Sequence, residues 1–319
     1  QMGVRRSIAF GALGGLFLSV CIIGVMALLR QTVRDQEEMK EITSLRCLAA
    51  VPLVKLKARK SREQQKISVL EERIPYGYRE SMRGLKLRLT RKMEASGSKV
   101  LLITSTASGE GKSTLAVNLA RLMAADQKKV LLIDGDLRKQ SDAGILGIPG
   151  RYSLRNVLEE SKKPEKLIGK SKKNGIYFLG STKKTDQPAS VLSSKAVHEF
   201  IVSVREKMDY VIIDSPPCGM FQDASLLAEY VDSILYVVKY DSVPKRQIRD
   251  GIVSLSGSQA GFVGYVFNES PETGGAYGYG RYGYGYGYGY KYGHRKYGGN
   301  TDETGDGRSG KKVRRAEEN

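Results

Sequence analysis

Tryptophan is missing from this chain of 319 residues, which also holds only 2 histidines and 3 cysteines. His198 and His294 stand far apart with no partner at ligand spacing, so they read as packed or solvated side chains and not as metal ligands. Cys21, Cys47 and Cys218 are odd in number, widely spaced and outside any C-x-x-C pattern. That excludes a disulfide framework and a structural zinc site, and fits a reducing compartment. Acidic residues are also in short supply, 34 against 52 Lys and Arg, for a net charge of +18. Such a chain is not a neutral cytosolic globule. Apolar residues are not lacking at 40%, enough to build a core in part of the chain, so wholesale disorder is excluded.

The charge is unevenly placed: residues 30–96 carry +8, just after a stretch of 22 residues, 8–29, without any charge. As a helix that stretch would cover ~33 Å at ~1.5 Å per residue, enough for a bilayer. A cleaved signal, a twin-arginine signal on Arg5 and Arg6, and a buried core helix are the competing readings. The run is longer than a signal's apolar core, no A-x-A site follows it, and Arg30 ends it. The expectation is therefore a transmembrane helix at 8–29 with the basic side in the cytoplasm, within reach of anionic lipid headgroups. Gly11 and Gly15 add a weak helix-packing signal. Residues 30–75 read as a basic juxtamembrane linker, with a polar helical pattern over 33–54 that breaks into a short apolar run at Pro52. Only seven residues precede the span and the first is Gln, which fits a piece of a longer protein with extracytoplasmic sequence upstream.

From residue 99 onward the pattern changes. Apolar runs at 100–104, 130–133, 176–179, 210–213, 234–238 and 262–267 alternate with helical segments, which predicts a parallel α/β sheet flanked by helices. Ligands of such sheets bind at the carboxyl ends of the strands. At the first of these ends stands Thr106-Ala107-Ser108-Gly109-Glu110-Gly111-Lys112-Ser113-Thr114. This is a phosphate loop in which glycines admit backbone N–H groups to phosphates, Lys112 reaches the β- and γ-phosphates, and the Ser113 hydroxyl ligates Mg²⁺. Ser108, Gly109, Glu110, Gly111, Lys112, Ser113 and Thr114 are the candidate ATP-binding residues. Thr106 occupies the position where the eight-residue pattern asks for Gly. Two more strand ends carry acid: Asp134-Gly135-Asp136-Leu137-Arg138 and Asp214-Ser215-Pro216-Pro217. A strand-terminal Asp is often a turn former or cap, but three beside a phosphate loop point to a metal site of Ser113, Asp134, Asp136 and Asp214. Any of the three carboxylates could also accept a proton in phosphoryl transfer, so Lys112, Asp134, Asp136 and Asp214 are the catalytic candidates.

These three motifs together resemble the bacterial tyrosine kinases of capsule and exopolysaccharide synthesis, whose fold is shared with the Min and Par positioning ATPases. Asp223-Ala224-Ser225, Asp232-Ser233-Ile234 and the Gly264 to Asn268 stretch occur in the family's order, and Glu80, Arg83 and Lys86 resemble its oligomerisation motif with Lys86 in place of the last Arg. The resemblance implies ATP and Mg²⁺ as cofactors, a homo-oligomeric ring, and partnership with the polysaccharide polymerase and export machinery and with a cognate tyrosine phosphatase. It also implies a bacterial inner-membrane location with the kinase domain, 76–270, on the cytoplasmic side. Ala107 stands where the Min and Par signature Lys would be.

Beyond residue 270 the composition collapses to Tyr, Gly and charge, so 271–319 is expected to be a disordered tail. It holds Tyr277, Tyr279, Tyr282, Tyr284, Tyr286, Tyr288, Tyr290, Tyr292 and Tyr297, half of the chain's 18 tyrosines. Alone it could stack on nucleic acid. Beside a kinase-like domain these tyrosines read as phosphoacceptors for subunits phosphorylating one another, and no nucleic-acid partner is expected. The two rival readings are a positioning ATPase without kinase activity and a nucleic-acid-binding protein that uses the basic charge.

Overall fold

The computed structural model describes residues 2–29, 31–55, 67–159, 164–171 and 175–271. Residues 1–272 form one compact unit; the second unit, 273–319, lies outside the described residues, and with it the expected disordered tail and its nine tyrosines. Of the linker expected over 30–75, residues 30 and 56–66 also fall outside them.

Helix α1 (Met2–Leu29) covers the expected membrane span. Its side chains are described for Gly3 and from Phe10 to Gly24, and those of Phe10, Leu13, Leu16, Phe17 and Ile23 are exposed. No helix of the described residues is long and apolar enough to cross a membrane. The expected stretch 8–29 is thus found as helix, within α1.

After the short helix α2 (Gln36–Lys40), capped by the Asp35 carboxylate accepting from the Glu38 N–H at 2.8 Å, comes strand β1 (Cys47–Pro52). It pairs in parallel with the last strand, so residues placed in the linker by composition extend the sheet. Helix α3 (Tyr76–Ala95) buries Tyr78, Met82, Leu85, Leu89 and Met93, a spacing of three and four that puts one face on the sheet. The core then alternates: β2 (Val100–Ser105), α4 (Lys112–Ala125), β3 (Val130–Asp134), α5 (Asp142–Leu146), β4 (Arg151–Tyr152), α6 (Leu154–Glu159), β5 (Gly169–Lys170), β6 (Tyr177–Ser181), α7 (Pro188–Leu192), α8 (Lys195–Lys207), β7 (Tyr210–Asp214), α9 (Asp223–Ala228), β8 (Ser233–Lys239), α10 (Lys245–Leu255) and β9 (Gly261–Ser270).

The strand order is β1-β9-β8-β2-β7-β3-β6-β4, with β5 also on β6. The pairings are parallel except those of β4 and β5, two-residue strands that run antiparallel to β6. All six strands expected from the apolar runs are present. Their side chains alternate between two cores: Val100, Leu102, Leu131, Ile133, Val211 and Ile213 on one face, Leu101, Ile103, Val130, Leu132, Tyr210 and Ile212 on the other. Helices cover both faces, which is why these strands are continuously apolar. The central order β8-β2-β7-β3 brings the carboxyl ends of β2, β3 and β7 together, with Asp134 directly opposite Asp214.

Candidate active site

The phosphate loop runs from β2 into α4. Gly109 and Gly111 adopt φ of +82° and +90°, the left-handed region open to glycine. At Gly111 a Cβ would also lie 2.1 Å from Nδ2 of Asn268. That amide donates to the Glu110 carbonyl at 2.8 Å and pins the loop to the end of β9. The Glu110 carboxylate is fully buried and accepts the Ala107 N–H at 2.6 Å and the Lys239 N–H at 3.2 Å. Burial pushes its pKa up. Glu110 therefore braces the loop from within, while Ser108 and Gly109 form its exposed tip and Thr114 sits half-buried in the first turn of α4. Thr106, at the pattern's missing Gly, is buried, with its hydroxyl 2.8 Å from that of Tyr236. Lys112 donates from Nζ to Ser105 Oγ at 3.0 Å and to the Ala107 carbonyl at 3.4 Å, closing the loop across its base.

Ser113 Oγ donates to Asp214 Oδ2 at 2.5 Å, which joins the loop to the end of β7. Ser141 Oγ lies 3.1 Å from Ser113 Oγ. Asp134 accepts the Asp142 N–H at 3.0 Å. Gly135 allows the close approach of β3 to β7: its N–H donates to the Asp214 carbonyl at 2.7 Å, and a Cβ would stand 2.7 Å from the same oxygen. Asp136 is placed differently. It is half-buried and accepts the Arg138 and Lys139 N–H groups at 3.1 and 3.0 Å, the arrangement of a turn former. Arg138 in turn clamps Asp223 through two bonds of 2.8 and 3.0 Å and lies over the Phe221 ring.

Of the three strand-end carboxylates, the structure brings Asp134 and Asp214 together and adds Asp142, which the sequence reading omitted. One oxygen of each lies within 4.8 Å of the others, and all three residues are buried. The only sequence signal for Asp142 was an acid in the first turn of a helix, which is common without function. Burial, and secondarily the charge of Asp214, push Asp134 well above the usual carboxylate range; burial with the same neighbour does so for Asp142. Burial raises Asp214 to about 6, with Lys112 and the Ser113 hydroxyl opposing. Asp134 Oδ1, Asp214 Oδ1 and both Asp142 oxygens have no hydrogen-bond partner. Orphaned hard oxygen donors beside a phosphate loop fit Mg²⁺.

A cleft of about 120 Å³ adjoins the loop, lined by Leu53, Val54, Ile67, Tyr78, Gly111, Thr114 and Asn268 among others. A larger one, about 410 Å³, lies beside β4, β5 and β6 and contains none of the site's carboxylates. The oligomerisation candidates all lie on α3. Glu80 and Arg83 are exposed and 3.6 Å apart, whereas Lys86 pairs with Asp126 at the end of α4 within the same chain.

The AAA domain family matches residues 91–244, which contain the loop and all the carboxylates. Tyrosine-protein kinase CpsD of Streptococcus pneumoniae is 31% identical over 189 residues, covering 58% of this chain and 83% of that protein. Succinoglycan biosynthesis transport protein ExoP of Rhizobium meliloti is 25% identical over 83% of this chain, but over only 37% of its own length. The chain spans little more than a third of such longer relatives. The fold is that of the kinase domain of Escherichia coli tyrosine kinase ETK, with a TM-score of 0.65 over 79% of this chain and 99% of that one at 21% identity. Sequence likeness across most of a named kinase and a shared fold agree: this chain belongs to the family of bacterial tyrosine-protein kinases.

Proposed function

We propose that the protein is an ATP-dependent protein-tyrosine autokinase, anchored in the inner membrane, that phosphorylates its own tail tyrosines in trans and serves capsule or exopolysaccharide synthesis. The observation that carries this reading is the 2.5 Å bond from Ser113 to Asp214, which puts a phosphate-loop hydroxyl against a strand-end carboxylate with Lys112 alongside. In this reading the loop N–H groups and Lys112 hold the triphosphate, and the small cleft beside Gly111 and Thr114 receives the base. Ser113, Asp134 and Asp214 would hold Mg²⁺, which supplies charge neutralisation at the transferring phosphoryl group. Asp136 shapes the turn that carries Arg138 to Asp223. Asp134, opposite Asp214 at the end of β3, is the group we assign to accept the tyrosine proton.

Support for the anchor is the charge-free stretch 8–29, helical with exposed apolar side chains, followed by the +8 of residues 30–96. Support for the acceptors is the tyrosine density of the tail and the family to which the chain belongs; support for the pathway is the name of ExoP. Each phosphate adds roughly −1.5 to −2 charges, so nine would reverse the sign of the tail and drive neighbouring subunits apart.

The test is incubation of the full chain in detergent with Mg-ATP, followed by phosphotyrosine blotting and phosphopeptide mass spectrometry. Label between Tyr277 and Tyr297, lost in Lys112→Met and after deletion beyond Pro271, is the expected result. ATP turnover without phosphotyrosine would overturn the kinase reading and favour a positioning ATPase.

A further inference from the structure

We propose that Asp134, Asp142 and Asp214 form a three-carboxylate site that binds a divalent cation, Mg²⁺ or Mn²⁺, before any nucleotide arrives, with Asp142 as the ligand that makes this possible. Phosphate loops ordinarily hold their metal chiefly through the nucleotide, because one hydroxyl and water-mediated carboxylates are a weak site without phosphate oxygens. Here the protein supplies more. Asp142 is completely buried at the start of α5, and neither of its oxygens has a hydrogen-bond partner.

The other two residues each offer an orphaned oxygen as well, Asp134 Oδ1 and Asp214 Oδ1. The one-per-residue ligand atoms lie within 4.8 Å of one another. Ligand oxygens around a cation bound at ~2.1 to 2.4 Å lie ~3.0 to 4.8 Å apart, from adjacent to opposite, so the three carboxylates are within the span of one ion's coordination sphere. Among the described residues, the cations nearby offset this charge only in part. Lys112, the cation at this strand end, directs its Nζ to Ser105 and Ala107. Arg138, on the turn that follows, is taken by Asp223.

The backbone holds the cluster in place: the Asp142 N–H bonds Asp134 at 3.0 Å, and Asp134 faces Asp214 across the β3–β7 pair. Because Ser113 bonds the remaining oxygen of Asp214, an ion held here sits next to the hydroxyl that completes its sphere when ATP binds. The order of binding is then metal first, nucleotide second. This deepens the reading of the site as a nucleotide and metal centre, and it holds whether or not the chain phosphorylates tyrosine.

The test uses the full chain, free of nucleotide, titrated with Mn²⁺ and followed by electron paramagnetic resonance, with thermal unfolding in parallel. The wild type is expected to take up one Mn²⁺ per chain and to melt at a higher temperature with Mn²⁺ than with EDTA. Asp142→Asn is expected to weaken Mn²⁺ binding at least tenfold and to lose most of the Mn²⁺ shift. Asp142→Leu should behave likewise, which separates loss of a ligand from loss of a hydrogen bond. Binding of a fluorescent ATP analogue in EDTA, retained by both variants, checks that the loop is intact. Absence of Mn²⁺ uptake by the wild type without nucleotide, as when a proton alone joins the carboxylates, would overturn the proposal; so would unchanged affinity in Asp142→Asn.

Discussion

Single residues decide whether the loop can form. Gly111 combines a φ of +90° with a Cβ position already occupied by Asn268, so Gly111→Ala meets both backbone strain and a collision. We expect it to cost about 1–3 kcal/mol and to weaken ATP binding more than tenfold, measured by urea denaturation and by calorimetric titration. Thr106 shows the opposite case. Its backbone is outside the left-handed region, and its hydroxyl meets Tyr236, whose OH also lies 3.4 Å from Cys218. The pattern's Gly is therefore not needed here. Tyr236→Phe should cost about 1 kcal/mol in the same denaturation assay, the usual worth of a buried hydrogen bond, and leave the loop's glycines unaffected.

At the level of elements, the start of β2 rests on Asp232. Its carboxylate accepts the Lys99 and Val100 N–H groups at 2.7 and 2.9 Å and an Arg205 N–H at 3.2 Å. Burial alone would raise its pKa, but those donors outweigh burial and hold it below the ordinary range. A depressed carboxylate stabilises the fold fully above its unfolded value of ~3.9 and loses that contribution as pH falls through the lower folded value. Asp232→Asn is thus expected to lose about 1 kcal/mol at pH 7, with the gap from wild type closing as the pH is taken down below the unfolded value of ~3.9, as followed by urea denaturation across that range. Elements also differ in how plainly the sequence shows them. The spacing of apolar residues in α3 and the runs of β2, β3, β7, β8 and β9 are visible because burial on one stripe or both faces leaves a period in the residues. The strand β1 has no such period: it is short, ends in Pro52 and follows a charged stretch, so composition assigned it to a linker.

For the whole molecule, the consequence is that residues 31–55 belong with the sheet. Val33, Met39, Leu48, Ala49 and Val51 are buried, β1 pairs along β9, and Lys245 reaches back to Glu41 at 2.9 Å and Glu38 at 3.5 Å. Removing residues 1–54 would uncover the β9 edge and its apolar face. Such a truncation is expected to aggregate on size-exclusion chromatography and to melt several degrees below the full chain. A single change, Val51→Asp, places an unpaired charge in the same contact and should cost at least about 2–3 kcal/mol in thermal or urea unfolding.

Much was determined by sequence alone: the alternating strands and helices, the phosphate loop with Lys112 and Ser113, and Asp134 and Asp214 at neighbouring strand ends. Each of these is local, written in spacing along a few residues. The tertiary structure decided what no local pattern records. It turned Asp136 into its own turn, paired Arg138 with Asp223, engaged Lys86 with Asp126, and brought Asp142 from the first turn of α5 against two strand ends. The reason is physical: which carboxylates share a site depends on the order of strands in the sheet and on the path of the chain between them, and those follow from packing both faces of the sheet at once.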